Sequence, residues 1–247
     1  MSLTRREDDP RRRLILALDL PDGDQALRLA DQLRPELAWV KVGLQLFGAA
    51  GPDVVRKLVS LGLNVFVDLK LHDIPNTMAR AAESLCGLGT SMLTTHAAAG
   101  EQALRETAGA VAAAPDRSGK GKPIVLAVTV LTSFSAEGYS GVVGRDAQPS
   151  LEVPRLGRLA IDAGVDGLVA SPMEVRALRE ELGPNPVLVI PGIRPAGSAT
   201  DDQARVATPA AALRDGADYL VVGRPIARAE QPRDALLRIL DEMASAS

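Results

Sequence analysis

Residues 63–70 read Leu63-Asn64-Val65-Phe66-Val67-Asp68-Leu69-Lys70, a largely apolar, β-branched run that ends in two charges. Such a run is a strand covered on both faces, since a half-solvated strand would alternate apolar and polar residues throughout. Side chains alternate along a strand, so Asp68 and Lys70 share one face while Val67 and Leu69 share the other. Seven further runs of the same kind flank it: Leu14–Asp19 and Ala38–Gly43 before, and Ser91–His96, Ile124–Leu131, Gly167–Ser171, Val187–Ile190 and Tyr219–Gly223 after.

Helical patterns separate these runs, the alternation of a parallel sheet with crossover helices. Ser171, Pro172 and Glu174 supply an N-cap, an N1 proline and a capping-box acid, and Gly183-Pro184 stops that helix. Thr208-Pro209 repeats the start signal. Eight strand–helix units in 247 residues match the roughly 250 residues of one closed barrel. No GxGxxG follows the first strand, as an open dinucleotide-binding sheet would require. The expected fold is therefore α/β, a single TIM (β/α)8 barrel over residues 13–247, with residues 1–12 a loose polar tail. The glycine- and polar-rich stretch Phe134–Ser150 reads as the longest loop and a candidate active-site cover.

A hydrophobic content of 46% suffices for a real core, and 28 Lys+Arg against 31 Asp+Glu leave a net charge of −3. That balance gives no global attraction to nucleic acid or an anionic membrane, so an anionic ligand must be held by a local cluster. The single cysteine, Cys86, has no intramolecular disulfide partner and lies in an apolar small-residue stretch, which fits a buried, inert thiol in a reducing compartment. Arg11–Arg13 followed by Leu14–Leu18 superficially looks like the start of a signal peptide. Asp19 ends that run too early, and no small-residue cleavage site follows. Nothing approaches the roughly 18 apolar residues of a membrane span, and a cytoplasmic protein is expected.

Barrels of this kind carry their working residues at the C-terminal ends of the strands. Asp19, the Asp68-Leu69-Lys70 segment and Thr95-His96 end three of the runs, the second carries Lys41, and the fifth leads into Thr132-Ser133. Lys41 can lie beside Asp68 and Lys70, giving alternating lysine and aspartate charges at the mouth. A purely structural ion-pair network would look the same, since buried charges persist when paired. Several paired charges converging on a catalytic face are, however, what a reaction that develops charge needs. The last two runs lead into Pro191-Gly192-Ile193-Arg194 and Gly223-Arg224, where glycine backbone and arginine forks together suit a phosphate. Each arginine alone would be an ordinary surface residue, but their joint placement favours a phosphorylated small-molecule substrate. His72 and His96 have no cysteine nearby and lack metal-ligand spacing, so no metal is expected. No GxSxG elbow is present.

The segment Asp68-Leu-Lys70-Leu-His-Asp73-Ile-Pro-Asn-Thr77 resembles the signature of orotidine 5′-phosphate decarboxylases, which make UMP and carbon dioxide. The resemblance extends, in family order, through Leu18-Asp19, Val40-Lys41-Val42-Gly43, Val130-Leu131-Thr132-Ser133, Pro191-Gly192-Ile193-Arg194-Pro195, Asp201-Asp202-Gln203-Ala204-Arg205, Thr208-Pro209 and Val221–Ile226. It implies that Lys70 protonates C6 of the pyrimidine, that Asp68 lies against the departing carboxylate, and that Lys41 and Asp73 complete the charged row. It further implies that Asp19 and Lys41 bind ribose hydroxyls and Thr132 or Ser133 the pyrimidine edge. Gln203, Arg194, Gly223 and Arg224 would hold the phosphate, with Pro191 also in the substrate site. By the same resemblance no cofactor is used, and Asp73 and Thr77 reach the partner's site in a homodimer. Magnesium-dependent sugar-phosphate decarboxylases and aldolases share the DxKxxD motif and are the alternative. The LTS and PGIRP…DDQ blocks favour the orotidylate enzyme.

Overall fold

A strand that is apolar along its whole length has to be covered twice, and this chain meets the demand by closing its sheet. A computed structural model describes residues 9–116, 119, 121–195 and 206–246. Its strands are β1 (Leu14–Ala17), β2 (Trp39–Gly43), β3 (Asn64–Leu71), β4 (Met92–His96), β5 (Ile124–Val128), β6 (Gly167–Val169), β7 (Val187–Ile190) and β8 (Tyr219–Val222). All are parallel and pair in chain order, and β8 returns to β1 to complete a barrel. Around it run α1 (Gly23–Leu33), α2 (Leu44–Ala50), α3 (Asp53–Ser60), α4 (Pro75–Cys86), α5 (Glu101–Ala113), α6 (Ala136–Val143), α7 (Pro149–Asp162), α8 (Val175–Leu182), α9 (Pro209–Arg214), α10 (Arg224–Ala227) and α11 (Pro232–Ala244).

Period-two alternation divides the core into two layers. Leu14, Leu16 and Leu18 point outward into the main cluster between strands and helices, with Val40, Val65, Val67 and Leu93. Ile15, Trp39, Phe66, Met92, Leu126, Val189 and Val221 point inward and fill the barrel. Trp39 and Tyr219 meet edge to face inside it, with centroids 5.4 Å apart. At the N-terminal rim, Asp166 accepts from Val125 N and Asp218 from Leu188 N, so carboxylates satisfy strand donors there. Arg13 fastens the β1 side of that rim by donating to the carbonyls of Ala217 and Asp218.

The strands lie where the sequence places them, but several leave the ladder early at the mouth. The first ends at Ala17, before Asp19; the fifth at Val128, before Leu131; and the sixth at Val169, before Ser171. The polar residues that close these runs belong to the loops. The stretch Phe134–Ser150 is not a structureless loop. Ser135 caps α6 by accepting from Gly138 N at 3.1 Å, Gly144 ends it at φ 70°, and Pro149 opens α7. Buried Tyr139 packs near Phe134, anchoring α6 despite its two glycines. Of the expected tail, Pro10–Arg12 form a 3₁₀ turn capped by Asp9, and residues 1–8 lie outside the described residues. No helix among the described residues is long and apolar enough to cross a membrane.

Candidate active site

The inward face of the barrel changes character one layer above its apolar filling. Two residues beyond Trp39, Phe66 and Met92 stand Lys41, Asp68 and Thr94, and two beyond Ala17 stands Asp19. Because β2 and β3 are staggered, Gly43 sits beside Asp68, and the ammonium of Lys41 reaches between two carboxylates. Lys41 Nζ lies 3.2 Å from Asp19 Oδ1 and 3.4 Å from Asp68 Oδ2. Lys70 Nζ meets the other oxygen of Asp68 at 2.8 Å. The order in space is Asp19, Lys41, Asp68, Lys70.

Lys41 and Asp68 are each only 9% exposed, so their charges depend on one another. Burial disfavours the Asp68 carboxylate, but the Lys41 and Lys70 ammoniums and hydrogen bonds from Lys70 and Thr94 outweigh it. The carboxyl is held below its ordinary value. Burial likewise works against the charge on Lys41, and Asp68 and Asp19 overcome it, holding the ammonium above its ordinary value. Both groups are ionised at neutral pH.

Lys70 shares a face with Asp68, though by a less regular route than strand pleating. Val67 pairs with Leu93 and Leu71 with Thr95, so Asp68, Leu69 and Lys70 lie opposite the single residue Thr94. The bulge places Lys70 at φ 53°, the one positive φ of a non-glycine residue among the described residues. Its amide donates to Thr94 Oγ1 at 2.9 Å, and that hydroxyl donates to Asp68 Oδ1 at 3.0 Å.

These charges line a cavity of about 440 Å³ at the C-terminal mouth of the barrel. Asp19, Lys41, Asp68, Lys70, Thr132, Pro191, Gly192, Arg194, Gly223 and Arg224 all border it, with Phe66, Val128, Val130, Val169 and Val221 as its apolar floor and walls. Arg194 is buried and donates to the Ile193 carbonyl, while its Nε has no hydrogen-bond partner among the described residues. Ser133 is beside the cavity in sequence but does not border it. Asp73 and Thr77 lie exposed at the start of α4, where Asp73 Oδ1 accepts from Ile74 N at 2.6 Å. Gln203 falls outside the described residues.

The sequence reading misses two residues here. Arg228, four residues after Arg224, joins it on the cavity wall, and i, i+4 spacing is the signal that could have revealed it. Thr94 carried no comparable signal. His72 and His96 are not isolated: their rings stack 5.3 Å apart at 22°. Burial, His72 and Lys70 all push the His96 imidazole below its ordinary value of 6.5. Among the described residues no three His, Cys, Asp or Glu side chains form a metal-holding group. Cys86 is buried, and burial pushes its thiol up.

A closed (β/α)8 barrel with paired charges and arginine-bearing glycine loops around one cavity at its C-terminal mouth has the layout of a barrel enzyme acting on a small anionic substrate. The chain belongs to the orotidine 5′-phosphate decarboxylase / HUMPS family, whose sequence profile matches residues 12–239. It is 48% identical over 231 residues to the orotidine 5′-phosphate decarboxylase of Moorella thermoacetica, covering 94% of this chain and 92% of that protein. A protein of the same name from Anaeromyxobacter sp. (strain K) is 50% identical over 226 residues, covering 92% and 96%. Among solved structures, orotidine 5′-phosphate decarboxylase from Lactobacillus acidophilus superposes with a TM-score of 0.82 at 37% identity, covering 93% of this chain and 98% of that one.

Proposed function

We propose that the chain decarboxylates orotidine 5′-monophosphate to UMP and carbon dioxide without a cofactor, the last step of de novo pyrimidine nucleotide synthesis, in the cytoplasm. The observation that carries this is that the Asp19–Lys41–Asp68–Lys70 row and the Arg194 and Gly223-Arg224 loops border one cavity. The row suits the reacting carbon and ribose, the arginines suit the phosphate, and the apolar floor suits the base.

In the proposed reaction the bond from C6 to the carboxylate carbon breaks, its electron pair remains on C6, and carbon dioxide leaves. An N–H of the Lys70 ammonium supplies the proton that forms the new C6–H bond, and the neutral amine regains a proton from water. Fixed next to Asp68, the ammonium needs no reorganisation to meet the developing charge, which is where electrostatic preorganisation contributes most. Asp68 lies against the departing carboxylate, and its repulsion of that group is secondary. Asp19 and Lys41 bind ribose hydroxyls, Thr132 or Ser133 the pyrimidine edge, and Arg194, Gln203, Gly223 and Arg224 the phosphate beside Pro191. Exposed Asp73 and Thr77 complete the site of a second copy in a homodimer, with Asp73 extending the charged row. Phosphate binding, remote from C6, contributes by holding the base in register.

Ultraviolet loss of orotidine 5′-monophosphate, followed with purified protein in a metal chelator, tests the reading. Conversion that disappears in Lys70→Ala, with UMP still bound by that variant, is expected. Persistence of about a tenth of wild-type turnover in the variant would remove Lys70 as proton donor. No conversion by folded wild-type protein, with turnover of sugar phosphates on adding magnesium, would replace the reading with the magnesium-dependent alternative.

A further inference from the structure

We propose that Thr94 is a positioning residue for the reaction, its single hydroxyl setting both the backbone of Lys70 and the carboxylate of Asp68. The inference rests on the decarboxylase reading above for its kinetic consequences and on geometry alone for its structural ones.

In a regular parallel ladder the Lys70 amide would donate to a backbone carbonyl of β4. The bulge removes that option, because three residues of β3 stand against one residue of β4. Positive φ at a lysine is strained and persists only where the surroundings hold it. What holds it is Thr94 Oγ1, which accepts the Lys70 amide at 2.9 Å. A hydroxyl has one proton to give. With its oxygen engaged by Lys70, that proton is directed to Asp68 Oδ1 at 3.0 Å, the same oxygen that meets Lys70 Nζ at 2.8 Å. A buried side chain, 1% exposed, thereby ties the strained backbone of the lysine to the carboxylate that orients its ammonium. Thr94 does not border the cavity, so it acts through the two charged residues.

The groups around Asp68 make the role testable by pH. From β2 it faces Lys41, with Asp19 beyond, and on its own strand Lys70. From β4 it faces the uncharged Thr94, and His96, stacked on His72, lies toward Lys70. Removing the Thr94 hydroxyl deletes one donor to the carboxylate and changes no charge. The Asp68 carboxyl then titrates at higher pH, and the acid limb of activity moves up with it.

The experiment compares Thr94→Val, which keeps the shape, with Thr94→Ser, which keeps the hydroxyl, in kcat, KM, pH profile and Tm. Thr94→Val is expected to lose roughly 10- to 100-fold in kcat, the worth of hydrogen bonds to charged groups. KM should change far less, and the acid limb of kcat/KM should shift to higher pH. Thr94→Ser should stay near wild type. If valine proves destabilising, Thr94→Ala makes the same deletion with less bulk. Wild-type kcat and an unmoved acid limb in the hydroxyl-free variants, or a serine variant as impaired as valine, would overturn the proposal. Should wild-type protein leave orotidine 5′-monophosphate untouched, the reaction assignment fails, and ligand-free crystal structures still decide the role of Thr94. Loss of positive φ at Lys70 and of its contact with Asp68 in Thr94→Val supports it, and an unchanged Lys70 at φ 53° overturns it.

Discussion

A methyl group at Gly43 would stand 2.9 Å from Lys41 Nζ and 3.1 Å from Asp19 Oδ1. Gly43→Ala should therefore part that ion pair and raise KM for orotidine 5′-monophosphate about tenfold, near the worth of one charged hydrogen bond, with the circular dichroism spectrum unchanged. His96 carries a pH dependence of a different sign from that of a paired cation. Its folded value is depressed, so the unfolded chain binds the proton first. The stability this group contributes is present above 6.5 and is lost as pH falls through the lower folded value. Urea denaturation at descending pH should show that decline, and His96→Asn should flatten its portion below 6.5. At this scale alternation put Asp68 and Lys70 together, while the route by which they meet, a bulge in place of regular pleating, was not legible. The positive φ of Lys70 was not, because nothing local favours it: its acceptor, Thr94, is on another strand. The stacking of the histidines escaped for the same reason, since strand register, not sequence spacing, brings β4 beside the end of β3.

At Gly167, which begins β6, a Cβ would fall 2.1 Å from the Val187 carbonyl oxygen and 2.7 Å from Val187 Cβ, with no flexible side-chain tip to give way. Gly167→Ala should cost about 2 kcal/mol or more of unfolding free energy, in the range of overpacked sites, read as a lower urea midpoint at unchanged m-value. Between α6 and α7 the decisive contacts are ionic. Glu152, 6% exposed, receives both Arg145 and Arg155 at 2.6 Å, and the hydrogen bonds from these arginines hold its carboxyl below the ordinary value. Glu152→Gln should release the α6–α7 connection, seen as faster limited proteolysis between residues 144 and 148. Composition hid α6, because Gly138, Gly141 and Gly144 weigh against a helix when averaged over a window. The position of each glycine mattered more than the count: Ser135 and Gly144 are the start and stop signals of a short helix, visible in the sequence once its length is allowed to be eight residues.

The barrel itself was the most legible level, because double coverage of every strand leaves few arrangements for eight apolar runs. Assembly of two copies is tested at the same level by mixing inactive variants. If Asp73 serves the neighbouring copy, Lys70→Ala and Asp73→Asn should each be nearly inactive alone. After dissociation and random reassociation of an equal mixture, half the dimers pair unlike chains, and each of those has one intact site. About a quarter of wild-type activity should return. No recovery would place Asp73 and Lys70 in the same copy's site.

The pairing of β1 with β8 joins Leu14–Leu16 to Leu220–Val222, and the cavity straddles that join, with Asp19 on one side and Gly223-Arg224 on the other. During synthesis the residues of the charged row are made well before those of the arginine half. A chain still missing its last strand lacks Gly223 and Arg224 from the cavity lining, however well its earlier strands have condensed. A ligand bound across that join would work as a clasp on a ring, favouring the closed circle by mass action over any form in which first and last strands have parted. Occupancy of the cavity is thus also a report that manufacture of the ring is finished.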